Sequence, residues 1–107
     1  MKMVSTWAGS VRGQLDGVGT EAQFEWCNGM EFHANGNLYI AVSHGVRTVT
    51  PEAYVSYLTG SGNGGFNDGS FASALFNNPI DLAIDASGDI YVAERTTHRV
   101  RKVYMPQ

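Results

Sequence analysis

Charge is scarce in this 107-residue chain, where Asp, Glu, Lys and Arg together supply 16% of the residues, against a usual share of about 25%. A surface so poor in charge tolerates burial against another chain. The balance is acidic, net −3, so the basic face needed for non-specific nucleic-acid binding is missing and no nucleic acid is expected as a partner. Positive residues gather at Arg95, His98, Arg99, Arg101 and Lys102, but alternation along a strand divides them between two faces, and they read as solvated strand surface. The single cysteine, Cys27, excludes an internal disulfide, and with it any argument for an oxidising compartment. Its context, Phe24-Glu25-Trp26-Cys27-Asn28-Gly29, offers no Cys or His at ligand spacing, so it reads as a packed small residue. The opening Met1-Lys2-Met3-Val4 lacks the apolar core of a signal peptide, and no hydrophobic run reaches transmembrane length. The expectation is a soluble chain of unknown localisation with no membrane partner.

Long helical periodicity is also missing. Glycine takes its place: 13 residues fall between short apolar runs, as the turns of an all-β protein require. The runs themselves repeat. Val4-Ser5-Thr6-Trp7-Ala8-Gly9-Ser10 recurs 51 residues later as Val55-Ser56-Tyr57-Leu58-Thr59-Gly60-Ser61. Asp16-Gly17 recurs as Asp68-Gly69, and Ala22-Gln23-Phe24 as Ala74-Leu75-Phe76. Ala34-Asn35-Gly36-Asn37-Leu38-Tyr39-Ile40-Ala41 matches Ala86-Ser87-Gly88-Asp89-Ile90-Tyr91-Val92-Ala93, and Val46-Arg47-Thr48-Val49 matches Val100-Arg101-Lys102-Val103. A period of about 50 residues signals stacked supersecondary units. Repeat 1 runs over about 4–54 and repeat 2 over about 55–104.

Each unit yields short strands. Met30 to His33 and Leu82 to Asp85 pass through Asn-Gly or Ser-Gly hairpin turns into Leu38 to Val42 and Ile90 to Glu94. Val46 to Val49 and Arg99 to Val103 form a third strand, with Val46 and Thr48 on one face and Arg47 and Val49 on the other. Thr50-Pro51-Glu52-Ala53 then turns the chain into a fourth, Val55 to Leu58. Four antiparallel strands per unit make a β-propeller blade, two of them in this chain.

The stretch from Asp85 through Ile90-Tyr91-Val92-Ala93 to Arg99-Val100-Arg101-Lys102-Val103 resembles the core of the NHL repeat, and the repeated Ala-Gly-Ser, Asp-Gly and Ala-x-Phe elements resemble its bacterial members. The first repeat departs from the pattern. Cys27 stands where the second repeat has Pro79, His33 where it has Asp85, and Val42 where the family often has Asp. The resemblance implies a six-bladed propeller and a role in binding proteins or, in some members, RNA.

The order of strands carries a separate expectation. Val4 to Gly9 reads as a fourth strand without its own blade, and the last strand, Arg99 to Tyr104, is a third. Propellers hold about four to eight blades, so two cannot close a ring. Three chains would close a six-bladed ring as a homotrimer, with strand 4–9 of one chain completing the last blade of its neighbour. Val4, Thr6, Trp7, Val100, Lys102 and Val103 are the residues expected at this strand exchange. Trp7, Phe24, Phe32, Leu58, Phe76, Leu82 and Ile84 are expected between blades. An excerpt of a longer propeller, or a piece designed to self-assemble, fits the same strand order.

Candidate chemistry is thin. Gly60-Ser61-Gly62-Asn63-Gly64-Gly65 has the glycine spacing of a dinucleotide loop but is followed by turn formers, so it reads as a flexible loop. Asp16, Asp68, Asp85 and Asp89 offer too few oxygens per site for calcium and read as turn caps. His33, His44 or His98 would be tripled by threefold symmetry into a zinc-type set, yet an exposed histidine without a fixed partner is the ordinary case. No nucleophile elbow is present. Glu31 either lines the channel or is solvated. The expectation is a non-enzymatic, self-assembling scaffold with no catalytic residue, metal or cofactor, and with a protein or glycan as its ligand. A lectin-like propeller using exposed Trp7, Trp26 or Tyr57, and a metal-dependent lyase or lactonase, are the competing readings.

Overall fold

The computed structural model describes residues 2–106. Eight strands follow in order: β1 (Gly17–Val18), β2 (Met30–Phe32), β3 (Leu38–Val42), β4 (Gly45–Val49), β5 (Tyr54–Gly60), β6 (Pro79–Ile84), β7 (Ile90–Glu94) and β8 (Arg99–Val103). They form two antiparallel sheets, β1-β5-β4-β3-β2 and β6-β7-β8.

The expected all-β repeat is present, and its turns explain the registers. Asn35-Gly36 and Ser87-Gly88 sit at the tips of the β2–β3 and β6–β7 hairpins, where Gly36 and Gly88 take φ of 93° and 91°. These are values that glycine adopts without penalty. The turns set Phe32 opposite Leu38 and Ile84 opposite Ile90. Alternation then gives blade 1 two apolar faces. Tyr39, Ala41 and Val46 pack with Ala74, Phe76, Leu82, Ile90, Val92 and Val103 of blade 2, and Leu58 and Ile84 lie against this shared core. On the other side, Leu38, Ile40, Val42, Val49 and Val55 gather with Ala22 into a second cluster, flanked by Ala8, Phe24 and Tyr57. We call this second side the front of blade 1.

One expected strand is not formed. Val4–Gly9 joins no ladder, because no strand lies beside it to pair with among the described residues. The segment instead lies along the front of blade 1, tied by Gly9 N–H to the Gly19 carbonyl (3.1 Å) and by Ser10 Oγ to the Ala22 carbonyl (3.0 Å). Blade 2 correspondingly has three strands, and β8 is an open edge.

Candidate assembly surface

The two repeats are pinned by the same device. Arg47 on β4, wholly buried, donates to the carbonyls of Gln23 and Leu15 (2.9 and 3.1 Å) and pairs with Asp16 (3.0 Å). Arg101 on β8, 6% exposed, donates to the carbonyls of Leu75 and Asn67 (2.9 and 3.0 Å) and pairs with Asp68. These partners occupy equivalent repeat positions. A buried guanidinium satisfies several loop carbonyls at once, which holds the loop entering each blade.

Blade 2 adds a second ion pair. Glu94, whose side chain is fully buried, accepts from Arg101 (3.0 Å), from the Asn77 amide (3.1 Å) and from Thr97 Oγ1 (2.5 Å). Blade 1 has Val42 at that position, so Arg47 meets no second carboxylate there; its Nε, whose counterpart in Arg101 donates to Asp68 (3.0 Å), has no hydrogen-bond partner. Both guanidinium groups also lie against rings, Arg47 4.4 Å from Tyr57 and Arg101 4.7 Å from Phe66 and Phe76. Arg101 is therefore no part of a solvated surface, contrary to the reading of the basic C-terminal group: a repeated loop supplies its partners from 26 to 34 residues away.

The pairing of equivalent residues exposes where the molecule is incomplete. Leu82 on β6 is 6% exposed and packs between the blades, whereas its counterpart Met30 on β2 is 53% exposed. Ile84 is partly buried at the same junction, whereas Phe32 is 68% exposed. Met30 and Phe32 are oriented toward the front of blade 1, opposite Ile40 and Leu38. An apolar hollow of about 240 Å³ opens on that front, lined by Trp7, Phe24, Met30, Leu38 and Ile40 among others. Of the residues expected between blades, Leu58, Phe76, Leu82 and Ile84 are there. Phe24 packs on the front, and Trp7 and Phe32 are exposed, with no other blade packed over them among the described residues.

A second opening lies along β8, a groove of about 610 Å³ lined by Gly69, Ser70, Val100, Arg101 and Lys102 among others. Of the candidate strand-exchange residues, Thr6 and Trp7 lie exposed along the front hollow of blade 1, and Val4 is fully exposed. Val100 and Lys102 are exposed on β8, and Val103 is buried in the shared core.

The remaining candidates are scattered. Cys27 is free and exposed, lining the front hollow, rather than packed inside. His33 accepts from the Asn35 amide through Nδ1 (2.9 Å), so its Nε2 carries the proton donated to the Gly88 carbonyl of blade 2 (2.9 Å). His98 sits in a turn at φ 56°, and His44 lies beside Gly64. Asp85 accepts from the Ser87 and Asp89 amides and from Tyr91 Oη, while Asp89 accepts from the Met105 amide. Glu31 is exposed on β2, and the Gly60–Gly65 stretch leads into no helix. Trp26 is exposed, with Arg12 5.6 Å from its ring; Tyr57 is half-buried. Among the described residues no group of three His, Cys, Asp or Glu is placed to hold a metal, and no helix is long and apolar enough to cross a membrane.

Residues 76–103 match the family model of the NHL repeat. The chain is 31% identical over 94 residues to Protein SUPPRESSOR OF QUENCHING 1, chloroplastic, of Arabidopsis thaliana, covering 85% of this chain and 9% of that protein. It superposes on a structural-genomics protein of unknown function from Bacteroides thetaiotaomicron with TM-score 0.84 at 31% identity, over 90% of this chain and 26% of the other. An auxiliary nutrient binding protein from Bacteroides ovatus gives TM-score 0.78 at 32% identity, again over 90% and 26%. The chain thus spans about a quarter of the solved structures and a tenth of the plant protein. Residues 76–103 are an NHL repeat, and the whole chain is compatible with a two-blade piece of an NHL-type β-propeller.

Proposed function

We propose that the chain is a non-enzymatic propeller module that stacks with copies of itself into a closed ring and presents its loops as a binding scaffold. One observation carries this reading: Met30 and Phe32 are exposed where Leu82 and Ile84, at the same repeat positions, are covered by a preceding blade. Large apolar side chains left open on one face mark an interaction surface, and the cover that blade 2 receives defines what would fit blade 1. That cover is a blade presenting its Tyr39-Ala41-Val46 side. Blade 2 offers the equivalent Tyr91-Ala93-Val100 side to the outside. The contact is head-to-tail, so it repeats until the ring closes, and six blades correspond to three chains.

The similarity to a protein described as nutrient binding supports a binding role for the assembled ring. The lectin-like reading keeps one feature in its favour, the exposed Trp26 on a loop; a glycan-binding screen with a Trp26→Ala control decides it. The assembly reading is tested by light scattering after size exclusion. About three chain masses is expected, and Phe32→Glu, which buries an unpaired charge at the stacked face, should reduce the mass to that of one chain. A folded wild-type monomer at all concentrations overturns the proposal.

A further inference from the structure

We infer that the loops beside the β3–β4 turn of blade 1 form a binding site for a neutral saccharide, with Trp26 as its stacking platform and Arg12, Glu25 and Gln14 as its hydroxyl-binding edge. The site gives the binding role proposed above a ligand class. It rests on that role and not on ring closure, because all four residues belong to one chain.

The internal repeat separates what the fold needs from what has been added to it. Glu25-Trp26-Cys27 occupies the positions of Asn77-Asn78-Pro79, and the backbone is the same in both, with φ 52° at Trp26 and 50° at Asn78. Asparagine enters this left-handed region readily, whereas a bulky residue there is strained. Asn78 also ties its side chain to Thr96 Oγ1 (2.7 Å). Blade 2 thus fills the position with a residue suited to the backbone, and blade 1 fills it with a strained tryptophan that is 66% exposed. Burial does not offset that strain, and strain held without a packing reason marks a functional position. The exposure does not come from an uncovered junction. Asn78 is exposed as well, although blade 1 reaches it there, the Asn78 amide donating to the Ser43 carbonyl (3.0 Å). Trp26 is also not part of the front hollow.

Around the ring the polar groups are held in place. Arg12 lies over Trp26, 5.6 Å from its centroid, and its Nε donates to Glu25 Oε2 (3.0 Å). Glu25 Oε1 accepts from Ser43 Oγ (3.0 Å) and from Gln14 Nε2 (3.4 Å), and Gln14 Nε2 also reaches the Gly62 carbonyl (3.1 Å). Hydrogen bonds from Arg12 and Ser43 hold the Glu25 carboxyl below its ordinary value. Gly62 stands at φ 82°, and a Cβ there would come within 2.3 Å of Gln14 Oε1. The glycine-rich stretch of the second repeat therefore shapes the edge of the site. Blade 2 has Asn77 and Arg95 in the places of Glu25 and Ser43, so the fold itself does not call for this network.

The chemistry of these groups selects the ligand. An exposed indole presents a flat apolar surface with a wet edge, which the C–H face of a pyranose ring covers. Arg12 is 71% exposed, and its two terminal nitrogens make no hydrogen bond among the described residues, so they stay available as donors. The Glu25 carboxylate and Gln14 Oε1 supply acceptor capacity beside them. Adjacent sugar hydroxyls, each both donor and acceptor, match a planar donor set next to a planar acceptor. Glu25 cancels the charge of Arg12, which leaves no unpaired cation for a phosphate or a carboxylate. A neutral sugar is the ligand that uses the ring and both halves of the ion pair.

Fluorescence titration tests the site. Trp7→Phe leaves Trp26 as the sole tryptophan, and its emission is followed on addition of cellohexaose, mannohexaose, xylohexaose and maltohexaose, with oligogalacturonate and a single-stranded oligonucleotide as charged probes. A saturable change with at least one neutral hexasaccharide, and none with the charged probes, is expected. Binding should weaken at least about tenfold in Arg12→Met and in Glu25→Gln, each of which removes a hydrogen bond to a charged group. Calorimetry should find it lost in Trp26→Asn, which copies the residue of blade 2, while the urea midpoint of that variant is unchanged or raised. A lowered midpoint shows that Trp26 serves packing and overturns the inference. Saccharide binding that survives Trp26→Asn, or binding of the charged probes alone, also overturns it but leaves the binding role in place. No binding to any probe overturns it whatever the mass in solution, which judges the assembly separately.

Discussion

Blade 1 and blade 2 are built from the same repeat but are finished at opposite ends. Blade 1 has its outer strand, β5, and lacks a neighbour on its front; blade 2 has that neighbour and lacks the outer strand. The internal polar chemistry differs as well. Blade 2 buries a carboxylate, Glu94, against Arg101, whereas blade 1 buries Val42 and leaves Arg47 Nε unpartnered. Each arginine therefore has one anchoring role in common, holding a loop by its carbonyls, and Arg101 alone has a second, neutralising a buried charge.

The largest expected effect separates these roles. Arg101→Met leaves Glu94 buried without its cation, a change that costs about 3–5 kcal/mol. Arg47→Met strands two carbonyls but no buried charge, because Asp16 is 46% exposed, and should cost about 1–3 kcal/mol. Urea unfolding midpoints measure both. Adding Glu94→Val to Arg101→Met, which copies the residue blade 1 uses, should recover part of the loss. If the double variant is no more stable than the single one, the buried pair is not what distinguishes the blades.

A smaller effect sharpens the comparison of faces. Leu82→Ala removes packing from the junction and should cost about 2–5 kcal/mol at any protein concentration. Met30→Ala, at the same repeat position on the open front, should change the stability of an isolated chain by no more than about 0.5 kcal/mol. Under the proposed assembly its cost should grow with concentration, because association adds stability by mass action. Equal costs for the two variants in dilute solution would mean that Met30 is already covered.

Much of this was legible in the sequence, and what was not has a common cause. The strand pairs around Asn35-Gly36 and Ser87-Gly88, the turn before β5 and, at the blade junction, Leu58, Phe76, Leu82 and Ile84 follow from period-2 patterning and turn chemistry, which are local. Val4–Gly9 reads as a strand for the same local reason, yet a strand needs a ladder partner, and the segment has none among the described residues. Arg47 and Arg101 were missed as anchors because their partners are loop carbonyls far away in sequence. The available signal was the recurrence of Asp16 with Arg47 and of Asp68 with Arg101. Cys27 reads as packed and is exposed, again because it belongs to the uncovered front.

The hairpin tips give the smallest and most local contrast. In blade 2 one carboxylate, Asp85, accepts from the amides of Ser87 and Asp89 and from Tyr91 Oη. In blade 1 the work is divided: His33 accepts from the Asn35 amide, while Asn35 accepts from the Asn37 amide and donates to Tyr39 Oη. Only the blade 2 tip therefore depends on an ionised carboxyl group. Burial pushes the Asp85 carboxyl up, but the hydrogen bonds from Tyr91, Asp89 and Ser87 outweigh it and hold the group below its ordinary value. A group more acidic in the folded chain than in the unfolded one stabilises fully above the unfolded value, near pH 4 for aspartate, and loses that contribution as pH falls through the folded value. The stability difference between wild type and Asp85→Asn should accordingly be constant from pH 7 to about 5 and shrink below about 4. Other carboxylates titrate over the same range, but they cancel in the difference between the two proteins. A gap that stays constant down to pH 3 would show that the tip is held by shape, as in blade 1, and that the charge of Asp85 contributes nothing.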